Sequence, residues 1–222
     1  MTSKEKLKQD HVKCIKGNQI NLISKSNEKF YNNPLNEPYL YLFLYPDDTF
    51  AFKRKSIERL RYEEPYLFGI GRSGLHGEFT NYGYEYSHSE SSNTSHVIFH
   101  QNGIIEVGTN STSIFEKSKK LIYTRNISSQ LSACLNDYKI YIKDTDPEAK
   151  YTINLIIKTP EAYSLYQDKE FEDFKDIIHK NYNNIIESSF EDIDANMENI
   201  NVIKKKILDS TFSSWGLPYY IK

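Results

Sequence analysis

Apolar and polar positions alternate most clearly between residues 95 and 107, in the stretch SHVIFHQNGIIEV. Two runs of β-branched and aromatic residues, Val97-Ile98-Phe99 and Ile104-Ile105-Glu106-Val107, flank a polar turn, Gln101-Asn102-Gly103. Asn-Gly accepts φ > 0 at both central positions of a two-residue hairpin, so the pattern predicts two antiparallel strands joined at Asn102-Gly103. Glu106 alternates with apolar neighbours there, as any strand residue does. The longest apolar run is Tyr39–Tyr45, YLYLFLY, bounded by Pro38 and Pro46. It is short and apolar on both faces, which predicts a strand in the middle of a sheet. Tyr151–Ile157 predicts a second central strand, ended by Thr159-Pro160. Between them, Leu131, Leu135, Tyr138 and Ile142 recur at steps of four, three and four, which is one face of a helix. Ser128 or Ser129 can cap its start, and Asp144 to Pro147 stops it.

The remaining pattern is weaker. A hairpin around Gly17-Asn18, a short helix over Ser56–Glu64 and strands over Tyr66–Ile70 and Tyr82–Tyr86 are expected. Ser87–Ser95, SHSESSNTS, reads as a polar, mobile loop. Beyond Glu161 the charge density rises, and Phe171, Phe174, Ile177 and Ile178 fall at helical spacing. A strand or loop through Tyr182–Ser189 and a helix over Ile200–Leu208 follow. Phe212, Trp215, Tyr219 and Tyr220 close the chain as aromatics expected to be docked. Together these elements predict an α+β fold with a mixed or largely antiparallel sheet and packed helices. Residue 160 is the best soft boundary, between an α+β core over 1–160 and a mainly helical extension over 161–222; the alternative is a single domain.

Composition narrows the function classes. The chain has 222 residues, with 18 Tyr and 12 Phe against one Trp, so tyrosine supplies much of the half-buried surface. Lys and Arg number 28 against 30 Asp and Glu, a formal charge of −2, which removes the simplest electrostatic argument for nucleic acid. The two cysteines, Cys14 and Cys134, are far apart and form no C-x-x-C, so a reducing, cytoplasmic setting is expected. Met1–Asp10 is polar and lysine-rich, unlike a signal peptide, and no run reaches the length of a membrane span. No membrane association is expected.

No catalytic motif stands out. Gly69–Gly74, GIGRSG, matches G-x-G-x-x-G after a strand, but Gly77 and Gly83 follow where a phosphate-binding helix would have to begin. It reads as an irregular glycine turn. Four of the six histidines, His76, His88, His96 and His100, fall in one window with Glu78 and Glu85. Their spacing fits no familiar metal signature, and surface histidines are the plainer interpretation. His96 and His100 share a face in a strand but stand about two pleats apart, too far to share a metal without a kink. Cys134 sits on the apolar side of its helix and reads as a buried small hydrophobe. Lys53, Arg54, Lys55, Arg59 and Arg61 form a basic cluster beside Phe50, Phe52 and Tyr62, and Lys117, Lys119, Lys120 and Arg125 form a second. Basic and aromatic residues together suit a backbone-tracking, base-stacking surface, against the ordinary alternative of solvated surface lysine.

One resemblance adds to this. Tyr82-Gly83-Tyr84-Glu85-Tyr86-Ser87, a polar spacer, then Asn102-Gly103-Ile104-Ile105-Glu106, the helix and Tyr151–Ile157 follow one another. Over Pro38–Lys158 this order resembles the region that follows the AlbA_2-type (Schlafen, divergent AAA) domain of bacterial ATP-binding proteins. Gln101 stands where that pattern has arginine, and the AlbA_2 module itself has no counterpart in these residues. The resemblance implies an accessory or sensing domain of a bacterial regulatory or defence system, and it carries no catalytic residue. The first expectation is therefore a non-enzymatic binding module without a cofactor, whose partner is a protein or, second, a nucleic acid. One alternative is a metal-dependent hydrolase or nuclease built on His76, His88, His96 and His100. The other is nucleic-acid binding through Lys53, Arg54, Lys55, Arg59 and Arg61.

Overall fold

A computed structural model describes residue 6 and residues 38–46, 76–79, 83–90, 93–100, 103–145, 150–166, 179–180, 185–193 and 199–215. The hairpin expected around Gly17-Asn18, the helix over Ser56–Glu64, the glycine turn at Gly69–Gly74, Cys14 and the acidic stretch at 167–178 lie outside these residues.

The described chain is an α+β fold built on a mostly antiparallel seven-stranded sheet. The strands of this sheet are β1 (Tyr39–Pro46), β2 (His76–Phe79), β3 (Gly83–Glu90), β4 (Asn93–His100), β5 (Ile105–Thr109), β8 (Tyr151–Lys158) and β11 (Ile185–Ile193). Their order is β11-β8-β1-β5-β4-β3-β2, every pair antiparallel. A smaller sheet joins β6 (Phe115–Glu116), β7 (Leu121–Tyr123), β9 (Ser164–Tyr166) and β10 (His179–Lys180), with β7 and β9 parallel. Two helices are described, α1 (Thr124–Thr145) and α2 (Ile200–Ser213).

The two apolar runs take the central places that their composition predicts. β1 lies between β8 and β5, and β8 lies between β11 and β1. Alternation sorts β1 by side-chain type. Leu40, Leu42 and Leu44 enter one core with Ile153, Leu155, Ile157, Val97, Phe99, Ile105 and Val107. Tyr39, Tyr41, Phe43 and Tyr45 enter a second cluster, with Ile104 and Ile156. The first core is the helix side. Ile127, Leu131, Cys134, Leu135, Tyr138, Tyr141 and Ile142 of α1 are buried in it, with Ile207, Leu208 and Phe212 of α2. Tyr138 meets Tyr151 edge-on at 5.1 Å, and Tyr141 packs on Phe99 at 5.2 Å.

α1 has the predicted apolar face and begins four residues earlier than the Ser128 cap, at Thr124. α2 starts at its cap Asn199, whose Oδ1 accepts from the backbone N–H groups of Asn201 and Val202. Trp215 is docked, with its indole N–H pointing to the Tyr163 carbonyl at 3.4 Å. Cys134 is buried, and burial pushes its thiol up to about 12, as for an inert core residue. The segment after residue 160 contributes β9 and β10 to the small sheet, β11 to the edge of the large one, and α2 to the common core.

Two expectations change. Ser87–Ser95 is not simply a loop, because β3 and β4 pair from Gly83↔His100 out to Glu90↔Asn93. A polar composition does not stop a ladder whose backbone groups satisfy each other. The central hairpin turn is longer than Asn102-Gly103 alone. Phe99 pairs with Ile105, and the His100 N–H donates to the Ile104 carbonyl at 2.8 Å, leaving three residues between the strand ends. The Gly103 N–H donates back to the His100 carbonyl, and Gly103 holds φ at 84°. That is a three-residue loop with glycine in the left-handed position, and the extra residue fixes which face Glu106 occupies.

Candidate functional site

The register assembles the candidate site on the aromatic side of the large sheet. Cross-strand partners share a face, so two rows can be followed over all seven strands. One row runs Glu187, Ile156, Tyr41, Gly108, His96, Ser87, His76; the next runs Ser189, Asn154, Phe43, Glu106, Ile98, Glu85, Glu78. Glu106 on β5 and Glu85 on β3 therefore stand on either side of Ile98, the residue midway between His96 and His100. All four ionisable residues are buried.

His96 and His100 reach diagonally to one carboxylate. His96 Nε2 lies 3.1 Å from Glu106 Oε1, and His100 Nε2 lies 3.1 Å from Glu106 Oε2. The relative exposures of Glu106, His96 and His100 are 2%, 4% and 7%. An ionised carboxylate only accepts hydrogen bonds, so each Nε2 carries a proton and donates it. On its far side His96 Nδ1 lies 3.2 Å from the Tyr39 hydroxyl, which fixes the ring. Gly108 makes room for this arrangement. A Cβ there would run into the His96 ring and lie 2.8 Å from Tyr39 Cε1.

The electrostatics follow from these contacts. Burial by itself pushes the Glu106 carboxyl up. Hydrogen bonds from His100 and His96, reinforced by their charge attraction, outweigh burial and hold it well below the usual carboxylate range. Burial raises the Tyr41 phenol, and the neighbouring Tyr39 and Glu106 raise it further. Burial and Glu106 do the same to Tyr45. Both phenols stay protonated, as donors in a region that carries fixed negative charge. At the β11 side the face becomes more exposed. Asn154 Nδ2 there donates to Glu187 at 3.1 Å, and burial lowers the Lys158 amine.

Of the four histidines in the predicted cluster, the structure brings His96 and His100 together. Their meeting point is a shared carboxylate. His76 falls in the register row of His96 at the sheet edge, and His88 pairs with Ser95. The side chains of His76 and His88 lie outside the described residues. Among the described residues, no group of three or more His, Cys, Asp or Glu side chains is arranged to hold a metal ion. Lys53, Arg54, Lys55, Arg59 and Arg61 lie outside the described residues. Among the described residues no helix is long and apolar enough to cross a membrane.

Sequence reasoning passes over Glu106. The available signal is H-x-x-x-H on one hairpin strand with a carboxylate opposite the middle residue, and it becomes visible only with the correct turn length. Comparison of the chain with protein-family models and with curated proteins finds no match to either.

Proposed function

We propose that the chain is a non-enzymatic binding module, and that its buried His96–Glu106–His100 network is a closed structural unit of the scaffold and does no chemistry on a substrate. The observation that supports this is the closure of the network. Both carboxylate oxygens of Glu106 are taken by imidazole N–H groups, and the carboxyl is held below the ordinary range. A general base works best with a pKa near the operating pH and within hydrogen-bond reach of its substrate. Glu106 has the opposite character: it is a very weak base, buried at the centre of a sheet face. The resemblance over Pro38–Lys158 extends the proposal to an accessory or sensing role in a bacterial regulatory or defence system.

Two measurements on the full chain test the reading. Nucleic acids and activated esters incubated with the protein and Mg2+, Mn2+ or Zn2+ should show no turnover. Turnover that disappears in His96→Ala and Glu106→Gln would overturn the proposal in favour of the hydrolase alternative. Co-expression with the products of the neighbouring genes should yield a complex that survives gel filtration. Co-expression products that all elute apart from the chain would count against the accessory role.

A further inference from the structure

The small sheet carries a feature that the fold does not require. Its hairpin turns through Lys117–Lys120, KSKK, between β6 and β7. Lys120 takes the left-handed position at φ 54°, and its ammonium pairs with Glu161 at 2.6 Å. Lys119 and Lys120 are exposed and Lys117 is half-buried. Ile122 and Leu165 alternate into the core, which leaves Tyr123 and Tyr166 half-buried on the other side of the sheet. These two rings sit side by side on parallel neighbouring strands, 5.3 Å apart and edge to face.

Two residues beyond Tyr123, Arg125 is exposed in the first turn of α1. That turn contains no acidic residue. A helix N-terminus favours an anion, so an arginine there adds to an already positive end. Among the described side chains of this turn and the segments beside it, Lys117, Lys119, Lys120 and Arg125 outnumber the carboxylates Glu116 and Glu161, in a chain whose overall charge is −2. Tyr123 lies about 7–10 Å along its strand from the turn, by the strand rise.

We propose that this surface binds single-stranded nucleic acid. Lys117, Lys119 and Arg125 hold phosphates while bases stack on Tyr123 and Tyr166. Half-buried aromatic rings beside cations suit unpaired bases, whereas a duplex or an anionic membrane would use the charge alone. The proposal rests on the reading of the chain as a binding module and supplies a partner class for it. The two fail separately: loss of this site leaves the module intact, and hydrolysis would overturn the module without reference to this surface.

The test is fluorescence anisotropy of the full chain with labelled oligo-dT and oligo-U, duplex DNA, heparin and phosphatidylserine vesicles. Oligonucleotide binding should weaken with salt, with a log–log slope of roughly −2 to −3 for three or four phosphate contacts. Lys117→Glu/Lys119→Glu should abolish it at moderate salt. Tyr123→Ala should weaken it roughly five- to a hundredfold, and Tyr123→Phe, which keeps the ring, should retain it. Circular dichroism checks that each variant is folded. Four outcomes overturn the proposal: no oligonucleotide binding at low salt; equal or tighter binding to duplex, heparin or vesicles; binding unaffected by the Lys117/Lys119 reversal; or loss only on reversal of Lys53, Arg54 and Lys55.

Discussion

The two faces of the seven-stranded sheet are both buried over its central strands, yet they are made of different chemistry. On the helix side β1, β4, β5 and β8 present mainly Leu, Ile, Val and Phe to α1 and α2, with Tyr151 against Tyr138, and the described side chains there carry no charge. On the other side these strands present Tyr39, Tyr41, Phe43 and Tyr45 alongside His96, His100, Glu106 and Asn154, and β3 adds Glu85. An aliphatic face is stabilised by the amount of apolar area removed from water, so it tolerates any side chain of the right size and shape. A buried ionic face depends on pairing: each charge needs its partner, and a half-completed network is worse than none. The contrast says that the helix face makes the fold stable, while the aromatic face constrains which side chains can stand together.

The sharpest break in that contrast is Glu106→Ala. It leaves two imidazoles buried without their shared acceptor, and it should cost about 3–5 kcal/mol by chemical denaturation. Because the folded carboxyl is held below its unfolded value, the contribution is fully present above an unfolded pKa of about 4.3. It is lost as pH falls through the folded value. The stability of the natural protein should therefore drop on acidification more steeply than that of Glu106→Gln. Parallel curves would show that the carboxylate is not held as described. The matching change on the other face, Leu135→Ala, removes a fully buried side chain and should cost about 2–5 kcal/mol, with no pH dependence over the same range.

Gly108→Ala is a finer probe, because the added Cβ meets the His96 ring first and then Tyr39. It should cost about 1–3 kcal/mol, and most of that cost should vanish when His96 is also Ala. An undiminished cost in the double variant would place the strain at Tyr39 or in the backbone. The smallest expected effect comes from replacing the whole network. His96→Leu/His100→Leu/Glu106→Leu should be neutral or slightly stabilising, since hydrophobic residues of similar volume often outperform a buried ion network. A loss as large as that of Glu106→Ala alone would mean that the face is not an independent unit.

The aliphatic face was largely legible in the sequence. The step of Leu131, Leu135, Tyr138 and Ile142 gives the helix, and YLYLFLY together with Tyr151–Ile157 gives the two central strands, because burial leaves a periodic trace. The ionic face was not, for a specific reason. With a two-residue turn at Asn102-Gly103, Gln101 would pair with Ile104 and Glu106 would stand opposite Phe99, on the helix side. The three-residue turn moves it opposite Ile98, between the histidines. One residue of turn length decides whether Glu106 is a stray strand carboxylate or the centre of a network. Lys53 to Arg61 illustrate a different limit: their sequence signal is clear, and they lie outside the described residues.

The most direct test is the titration of the Glu106 side-chain carboxyl carbon by NMR, in protein labelled at glutamate. The structure predicts that its chemical shift stays at the ionised position throughout the range in which ordinary glutamates titrate, with no step near 4.5, and that such a step returns in His96→Ala/His100→Ala. A step at or above 4.5 in the natural protein would contradict the account, because it would show a carboxyl that is not held by two imidazoles.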